Sequence, residues 1–470
     1  MIPVTLAFSG DQNSHLRDFL FPGDGNEAVA ILLCGRRDGD RRHRLTVREV
    51  HGIPYDKCTV RTPRKVSWPT DVIVPILERA ANEHLSVVKV HSHPSGYPTF
   101  SEIDDESDQL LLPMVKGWIE EEIFHGSAVM LPDGSMFGRV LGPDGTMKKI
   151  STISVAGDDI HVWSPETENS EVPEFATSHS QAFDEGTIRQ MQKMSFAVVG
   201  ASGTGSPTVE QLVRLGAGEI VIVDDDTAEE RNINRILNSS LEDARTNRPK
   251  VDILADAAEK VGLGTRVIRI AKSLWDPDVI RSVAQCDVVF GCMDTIDGRY
   301  LLNRLATQYL IPYFDVGVRL DAARNGAEKG RITEACGTIH YLQPGRSSLI
   351  SRDLFTMAEV SEAALQRQDP SAHDRQIKDG YIRGFIGHRP AVISVNMLGS
   401  SLAVNEFLAR LHAYREDPNA CHAAVTFSLA SVELFSEPET GICEILAPFV
   451  GHGDTEPMLG QFEFCVKQTL

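Results

Sequence analysis

The chain has no long apolar run, few aromatic residues and no surplus of positive charge. None of its apolar stretches approaches the ~20 residues a helix needs to cross a hydrocarbon core, and the start lacks the basic and apolar segments of a secretory leader. Neither membrane insertion nor export is expected. A formal net charge of -20 excludes a nucleic-acid binder that works by neutralising phosphates over a broad basic face. The eight cysteines show no close pairing, and several sit in apolar runs where a reduced thiol packs as a small hydrophobe, so a reducing cytoplasm is the expected compartment. What remains is an ordinary globular composition, with 42% hydrophobic and 24% charged residues, which leaves no case for a fibrous or disordered chain.

At 470 residues two or three domains are expected. Residues 1–150 alternate short strand-like runs (Ala28 to Cys34, Val87 to Val90, Ser127 to Leu131) with helical stretches such as Val72 to His84, which reads as one mixed α/β domain. Arg36, Arg37, Arg41, Arg42 and Arg44 crowd around Asp38-Gly39-Asp40, a solvated hairpin tip or, as the second reading, a patch for an acidic partner. Residues 151–180 hold the acidic, proline-bracketed stretch from Ser164 to Glu174 and are expected to be a linker. Residues 181–412 run strand, glycine loop, helix, strand, helix, the order of a doubly wound parallel sheet. Residues 413–470 carry short strand-like runs (Ala423 to Leu429, Ser431 to Phe435) and read as a small β-rich appendage.

In Val87-Val88-Lys89-Val90-His91-Ser92-His93-Pro94 a strand ends in two histidines two residues apart, which alternation aims at one face. Ser101-Glu102-Ile103-Asp104 then brings a carboxylate to the first turn of a helix. Two imidazoles and one carboxylate leave a fourth position open, the arrangement of a catalytic zinc site. Singly, each piece has a plainer reading: the histidines as surface residues, Ser101 with Asp104 as a capping box. With Glu27 opening an apolar strand, the set resembles the JAMM/MPN metalloprotease motif, including the spacing from second histidine to serine. That resemblance implies His91, His93 and Asp104 as zinc ligands, Glu27 as general acid and base, Ser101 assisting the oxyanion, and cleavage of an amide bond.

Further on, Phe196-Ala197-Val198-Val199 runs into Gly200-Ala201-Ser202-Gly203-Thr204-Gly205, and a helix from Pro207 on would turn its amino end toward a phosphate. Asp224 ends the next strand, where a Rossmann fold places an acid on a ribose. A nicotinamide dehydrogenase would stop there, but Asn232, Arg235, Lys250 and Asp294 add an amide, two cations and an acid around the loop. A hydride-transfer site has no use for those cations. Attack of a carboxylate on the α-phosphate of ATP does, because charge builds on the triphosphate. Asp224-Asp225-Asp226, Asn232 through Arg235, Lys250 and Cys292-Met293-Asp294 through Asn303 resemble the ThiF/MoeB and ubiquitin-activating family. That resemblance implies ATP and magnesium held by Gly200, Gly203, Gly205, Asp224, Asp226, Asn232, Arg235, Lys250 and Asp294, an acyl-adenylate product, and a homodimer.

This sequence departs from that family in three places. Ser202 stands where a loop glycine is common, and Ser180-Gln181 where an arginine is expected, with Arg189 as a substitute. The two Cys-x-x-Cys pairs of many relatives are missing, so no zinc is expected in this half. Cys336 is the best-placed thiol for a thioester, against its reading as a strand-edge cysteine, while Cys286 and Cys292 read as core. The resemblances together imply one enzyme that trims a ubiquitin-like protein and adenylates its C-terminal glycine, with a conjugating enzyme as a further partner. The alternatives are sulfur-carrier activation to a thiocarboxylate, and a decayed scaffold that only binds a ubiquitin-like tail.

Overall fold

The computed structural model describes residues 2–165, 186–323, 331–373, 392–454 and 458, and these divide into two compact units. The first takes in the described residues of Met1–Glu168, Thr307–Leu310 and Pro448–Pro457; the second holds the rest.

The first unit is a nine-stranded sheet. Its strands are β1 (Val4–Ser9), β2 (Val29–Asp38), β3 (His43–Gly52), β6 (Ser86–Ser92), β7 (His125–Met130), β8 (Met136–Leu141), β9 (Met147–Lys149), β10 (Thr152–Ala156) and β11 (Ile160–Trp163). They lie in the order β11-β10-β1-β3-β2-β6-β7-β8-β9, and β4 (Val60–Thr62) with β5 (Lys65–Ser67) forms a separate hairpin. The continuous apolar run of β2 comes from cover on both faces. Its Ala30, Leu32 and Cys34 join a core with Leu16 and Leu20 of helix α1 (Gly10–Leu20). Its alternate residues Val29, Ile31 and Leu33 join a second core with Leu77 and Ala80 of α2 (Val74–Asn82) and Val115 and Ile119 of α3 (Glu102–Ile119). Burying both faces of β2 fixes its register, since a one-residue slip would exchange the two cores.

The arginine-rich segment is the expected hairpin between β2 and β3, but it is not wholly solvated. Arg44 is fully buried and donates to the Tyr309 and Leu310 carbonyls of the same unit. The expected boundary at residue 150 also moves. β10 and β11 pair with each other and β10 with β1, so 151–163 belong to the first sheet and a linker can begin only after Trp163; residues 166–185, with Ser180-Gln181, lie outside the described residues. Alternation along Thr152-Ile153-Ser154-Val155-Ala156, with Ile153 and Val155 buried, is the physical reason.

The second unit is an eight-stranded sheet in the order β14-β13-β12-β15-β16-β17-β18-β19. β12 (Ser195–Val199), β13 (Glu219–Val223), β14 (Arg266–Ile270), β15 (Val288–Gly291) and β16 (Tyr313–Ala322) run parallel in the Rossmann order. β17 (Ile332–Leu342), β18 (Ala424–Ser428) and β19 (Glu433–Glu437) continue antiparallel. The expected appendage at 413–470 is thus corrected: its two strands extend the main sheet, because β18 pairs with β17, while residues 459–470 lie outside the described residues. β19 forms one end of the sheet with all five residues exposed, Leu434 at 64% and Phe435 at 47%.

Candidate functional site

In the first unit β6 delivers His91 and His93, and α3 delivers Asp104 from its first turn. All three are buried. His91 Nε2 lies 3.2 Å from His93 Nε2 and 2.9 Å from Asp104 Oδ1, and His93 Nε2 lies 3.3 Å from Asp104 Oδ2. A tetrahedral ion with bonds of about 2.05 Å separates its ligand atoms by about 3.3 Å, so this triangle fits zinc. The Tyr97 carbonyl sits 2.8 Å from His93 Nδ1. An N–H there leaves a lone pair on Nε2, aimed at the other two donors, as outer-shell partners of metal-binding histidines do.

The electrostatics agree with a centre built for a cation. Burial works to raise the Asp104 carboxyl, but hydrogen bonds with His91, His93 and Ser101 hold it far below the usual carboxylate range. Burial lowers His91; for His93 burial is outweighed by the hydrogen bonds to Asp104 and the Tyr97 carbonyl, and it rises. Glu27 is 6% exposed and lines the same cavity as His91, Asp104, Lys65, Trp68 and Ile103. Burial pushes its carboxyl up to about 7, the range a general base at neutral pH requires.

Ser101 proves to be the N-cap of α3. Its Oγ donates to Asp104 Oδ2 at 2.7 Å and accepts the Asp104 N–H at 3.3 Å, while its own N–H donates to Asp104 Oδ2 at 2.7 Å. The capping box thus sets Ser101 against the candidate ligand Asp104, with its hydroxyl engaged there rather than toward an oxyanion. Sequence reasoning missed Ser92, whose Oγ accepts the Ala28 N–H at 3.0 Å and ties the strand of the histidines to the residue after Glu27. Strand alternation was the available signal: Ser92 between two inward histidines points the other way.

In the second unit the glycine loop leaves β12 and enters the helix Gly205–Arg214, two residues before the expected start. Gly200 holds φ +99°, a conformation glycine adopts without a Cβ penalty, and a Cβ on it would meet the Cys292 carbonyl at 2.4 Å. Thr204, at the N-cap, makes no side-chain cap bond, which suits a helix end meant for an outside anion. The structure brings Asp224, Lys250 and Arg235 to this loop. Asp224 Oδ2 accepts the Ala201 N–H at 2.6 Å, and burial raises its carboxyl. Lys250, 4% exposed, lies 2.5 Å from Asp226 Oδ2 and 3.6 Å from Asp224 Oδ1. Arg235 runs beside Gly203, its Cδ 3.4 Å from where a Cβ would stand, with its guanidinium on the Arg231 carbonyl. Asn232 is buried with Oδ1 lacking a hydrogen-bond partner among the described residues. Asp294 is exposed just beyond β15, and the carboxylates of Asp224, Asp225 and Asp226 approach one another within 4.8 Å. The uncapped helix end and the buried cation fit a nucleotide phosphate chain, while the orphaned Asn232 oxygen, an acceptor, suits a hydroxyl donor or a cation.

Of the two readings of Cys336, thioester thiol and strand-edge cysteine, its surroundings favour the second. It sits on β17 with Sγ 3.3 Å from Glu334 Oε1, and burial together with that carboxylate raises its pKa. A nucleophilic thiol needs the reverse surroundings. Cys286 is fully buried as core, whereas Cys292 is half-buried at the end of β15, its thiol pushed up to about 12 by its surroundings. Where relatives were expected to differ, Ser348 Oγ lies 3.0 Å from Cys443 Sγ. Arg189 falls in the helix 186–193 ahead of β12. Among the described residues no helix is long and apolar enough to cross a membrane.

Comparison with known proteins bears on both units. Residues 12–137 match the family described as prokaryotic homologs of the JAB domain, and residues 177–440 match the ThiF family. The chain is 23% identical over 42% of its length to ubiquitin-like modifier-activating enzyme 5 of Bombyx mori, covering 50% of that protein. It is 32% identical over 30% of its length to adenylyltransferase and sulfurtransferase UBA4 of Yarrowia lipolytica, covering 33% of it. Against the SAMP-activating enzyme E1 of Haloferax volcanii the figures are 35% identity, 23% of this chain and 38% of that one. The chain thus spans half or less of the length of these relatives. The ThiF match covers more than half of the chain and carries the glycine loop, Asp224, Lys250 and Asp294 within it, with a JAB-type domain ahead of it: the chain belongs to the ThiF family.

Proposed function

We propose that the chain processes and activates a ubiquitin-like protein, cutting after its C-terminal glycine in the first unit and adenylating that glycine in the second. The observation that carries the first half is the triangle of His91, His93 and Asp104 with the buried Glu27 beside it. Zinc held by these three ligands would supply Lewis acidity to a water molecule and to the scissile carbonyl. Glu27 takes the proton from that water and returns it to the leaving amine. Tyr97 and Ser101 keep His93 and Asp104 oriented.

In the second unit a carboxylate oxygen of the C-terminal glycine attacks the α-phosphorus of ATP, forming an acyl-adenylate as pyrophosphate leaves. Lys250 and Arg235 offset charge on the phosphates, the glycines let the loop pack tightly against its own chain, Asn232 supplies a polar contact, and Asp224, Asp226 and Asp294 serve the ribose and magnesium. The names of the relatives, a modifier-activating enzyme and sulfurtransferases, support this reading. The decisive experiment mixes the full chain, ATP-magnesium and a small carrier bearing a C-terminal extension, then weighs the carrier. A carrier shortened to glycine and then adenylated is expected; an unchanged mass with zinc and ATP present would overturn the proposal.

A second reading has one observation in its favour. With Cys336 held in its protonated form beside Glu334, the adenylate goes more readily to an external sulfur donor than to an enzyme thioester. A thiocarboxylate on the carrier supports this route, whereas a reductant-sensitive enzyme–carrier adduct supports conjugation through a partner enzyme.

A further inference from the structure

Under the turn that carries Asp104 lies a row of polar side chains on the sheet. Lys89 of β6 stands opposite Ser127 of β7, and Ser127 opposite Arg139 of β8, so the three stand abreast on one face. α3 lowers Asp108 onto that row. Lys89 Nζ lies 2.5 Å from Asp108 Oδ1, and Arg139 Nε and Nη2 lie 2.8 and 2.6 Å from Asp108 Oδ2. Lys89 and Asp108 are almost fully buried. Arg139 reaches further: its guanidinium pairs with Asp105, donates to the Asp104 carbonyl at 3.1 Å and sits 3.8 Å over the Phe100 ring. One guanidinium therefore holds the chain from Phe100 to Asp108, the segment that contains Ser101 and Asp104.

A buried pair of this kind has little to recommend it for stability, since apolar side chains of similar volume do as well. Its worth lies in direction. A planar guanidinium with five donors fixes several acceptors at once, and the balance of two cations against Asp105 and Asp108 leaves no stray charge beside the histidines. A helix held only by the apolar contacts of Leu112, Val115 and Ile119 could turn by some degrees about its axis at small cost; one with Asp108 pinned at both oxygens cannot.

We propose that Arg139, with Lys89 and Asp108, is a positioning clamp that sets the rotation of α3 so that Asp104 meets His91 and His93. The clamp thereby sets the affinity for a divalent cation without touching it. The inference rests on the metal reading of those three residues.

The test uses the full chain with Arg139→Met and Arg139→Lys. Zinc affinity is measured by chelator competition, and amide hydrogen exchange over Ser101–Asp105 is measured in the metal-free protein. Arg139→Met is expected to weaken zinc binding about 10- to 100-fold and to speed exchange over Ser101–Asp105 about tenfold, with the helix Gly205–Arg214 unchanged. Arg139→Lys, which keeps the charge and loses the fork, is expected to fall short of rescue. Should Arg139→Met not fold, Arg139→Lys carries the test. Wild-type affinity and wild-type exchange in the folded variants overturn the clamp. If the unsubstituted chain binds no zinc, the metal reading falls, and unaltered exchange over Ser101–Asp105 then overturns the clamp as well.

Discussion

Glu27 and Lys250 show how a single buried ionisable group can be tied to a measurement. Burial raises the Glu27 carboxyl from its ordinary 4.5 to about 7, so the folded chain holds that proton more tightly than the unfolded one. Its contribution to stability is complete below 4.5 and is lost as pH rises through about 7. In metal-stripped protein Glu27→Gln should therefore gain on the wild type across that window, by on the order of 3 kcal/mol at about pH 8, and in zinc-loaded protein the same variant should lose carrier cleavage at every pH. Thermal melts of both proteins from acid to neutral pH check it; parallel melting curves would show that the carboxyl is not buried in the folded chain. Lys250 is the matching test in the second unit. Lys250→Met is expected to slow ATP–pyrophosphate exchange in the presence of carrier about 100-fold, and exchange near the wild-type rate would remove this amine from the chemistry.

That His91, His93 and Asp104 come together was legible in the sequence because strand alternation and a helix start speak through neighbours along the chain. What lay hidden was long-range. Lys89 within Val87-Val88-Lys89-Val90 is a cation in an apolar strand, a visible oddity, but its partner Asp108 comes from α3 and its neighbour Arg139 from β8. The surroundings of Cys336 were hidden for a similar reason: only the fold shows Glu334 against the sulfur.

Among the elements, α3 couples folding to the site most directly. Its N-cap hydroxyl and its third residue bond reciprocally, and that third residue is Asp104. Ser101→Ala should cost about 1 kcal/mol from the lost cap, and should weaken zinc binding too, because the same hydroxyl donates to Asp104 Oδ2. Melting and chelator competition together check it: a drop in stability with zinc affinity intact would reduce Ser101 to a cap alone. Element boundaries were read less well than element types. β10 was assigned to a linker because its alternation is short and lies close to acidic, proline-flanked sequence, and β18 and β19 were recognised as strands without their sheet, since pairing with β17 joins residues far apart in sequence.

At the scale of the whole molecule the two units are not two consecutive stretches of chain. The first gathers Thr307–Leu310 and residues near 450 from far along the sequence, and Arg44, fully buried, depends on the Tyr309 and Leu310 carbonyls. A fragment ending at Pro165 loses those two carbonyls and the Leu310 side chain that packs into the same core. Such a fragment is expected to melt well below the full chain or to fail to fold; calorimetry on both decides, and equal melting temperatures for the corresponding transition would overturn the assignment.

Among the described residues the strand at the rim of the second sheet, β19, leaves a backbone edge open, and an open edge seeds aggregation. If two copies met there antiparallel about Phe435, Glu433 of each would face Glu437 of the other, and like charges set directly opposite repel. Two such glutamates would oppose that pairing as gatekeepers do, an opposition that lasts while they are ionised and is withdrawn in acid.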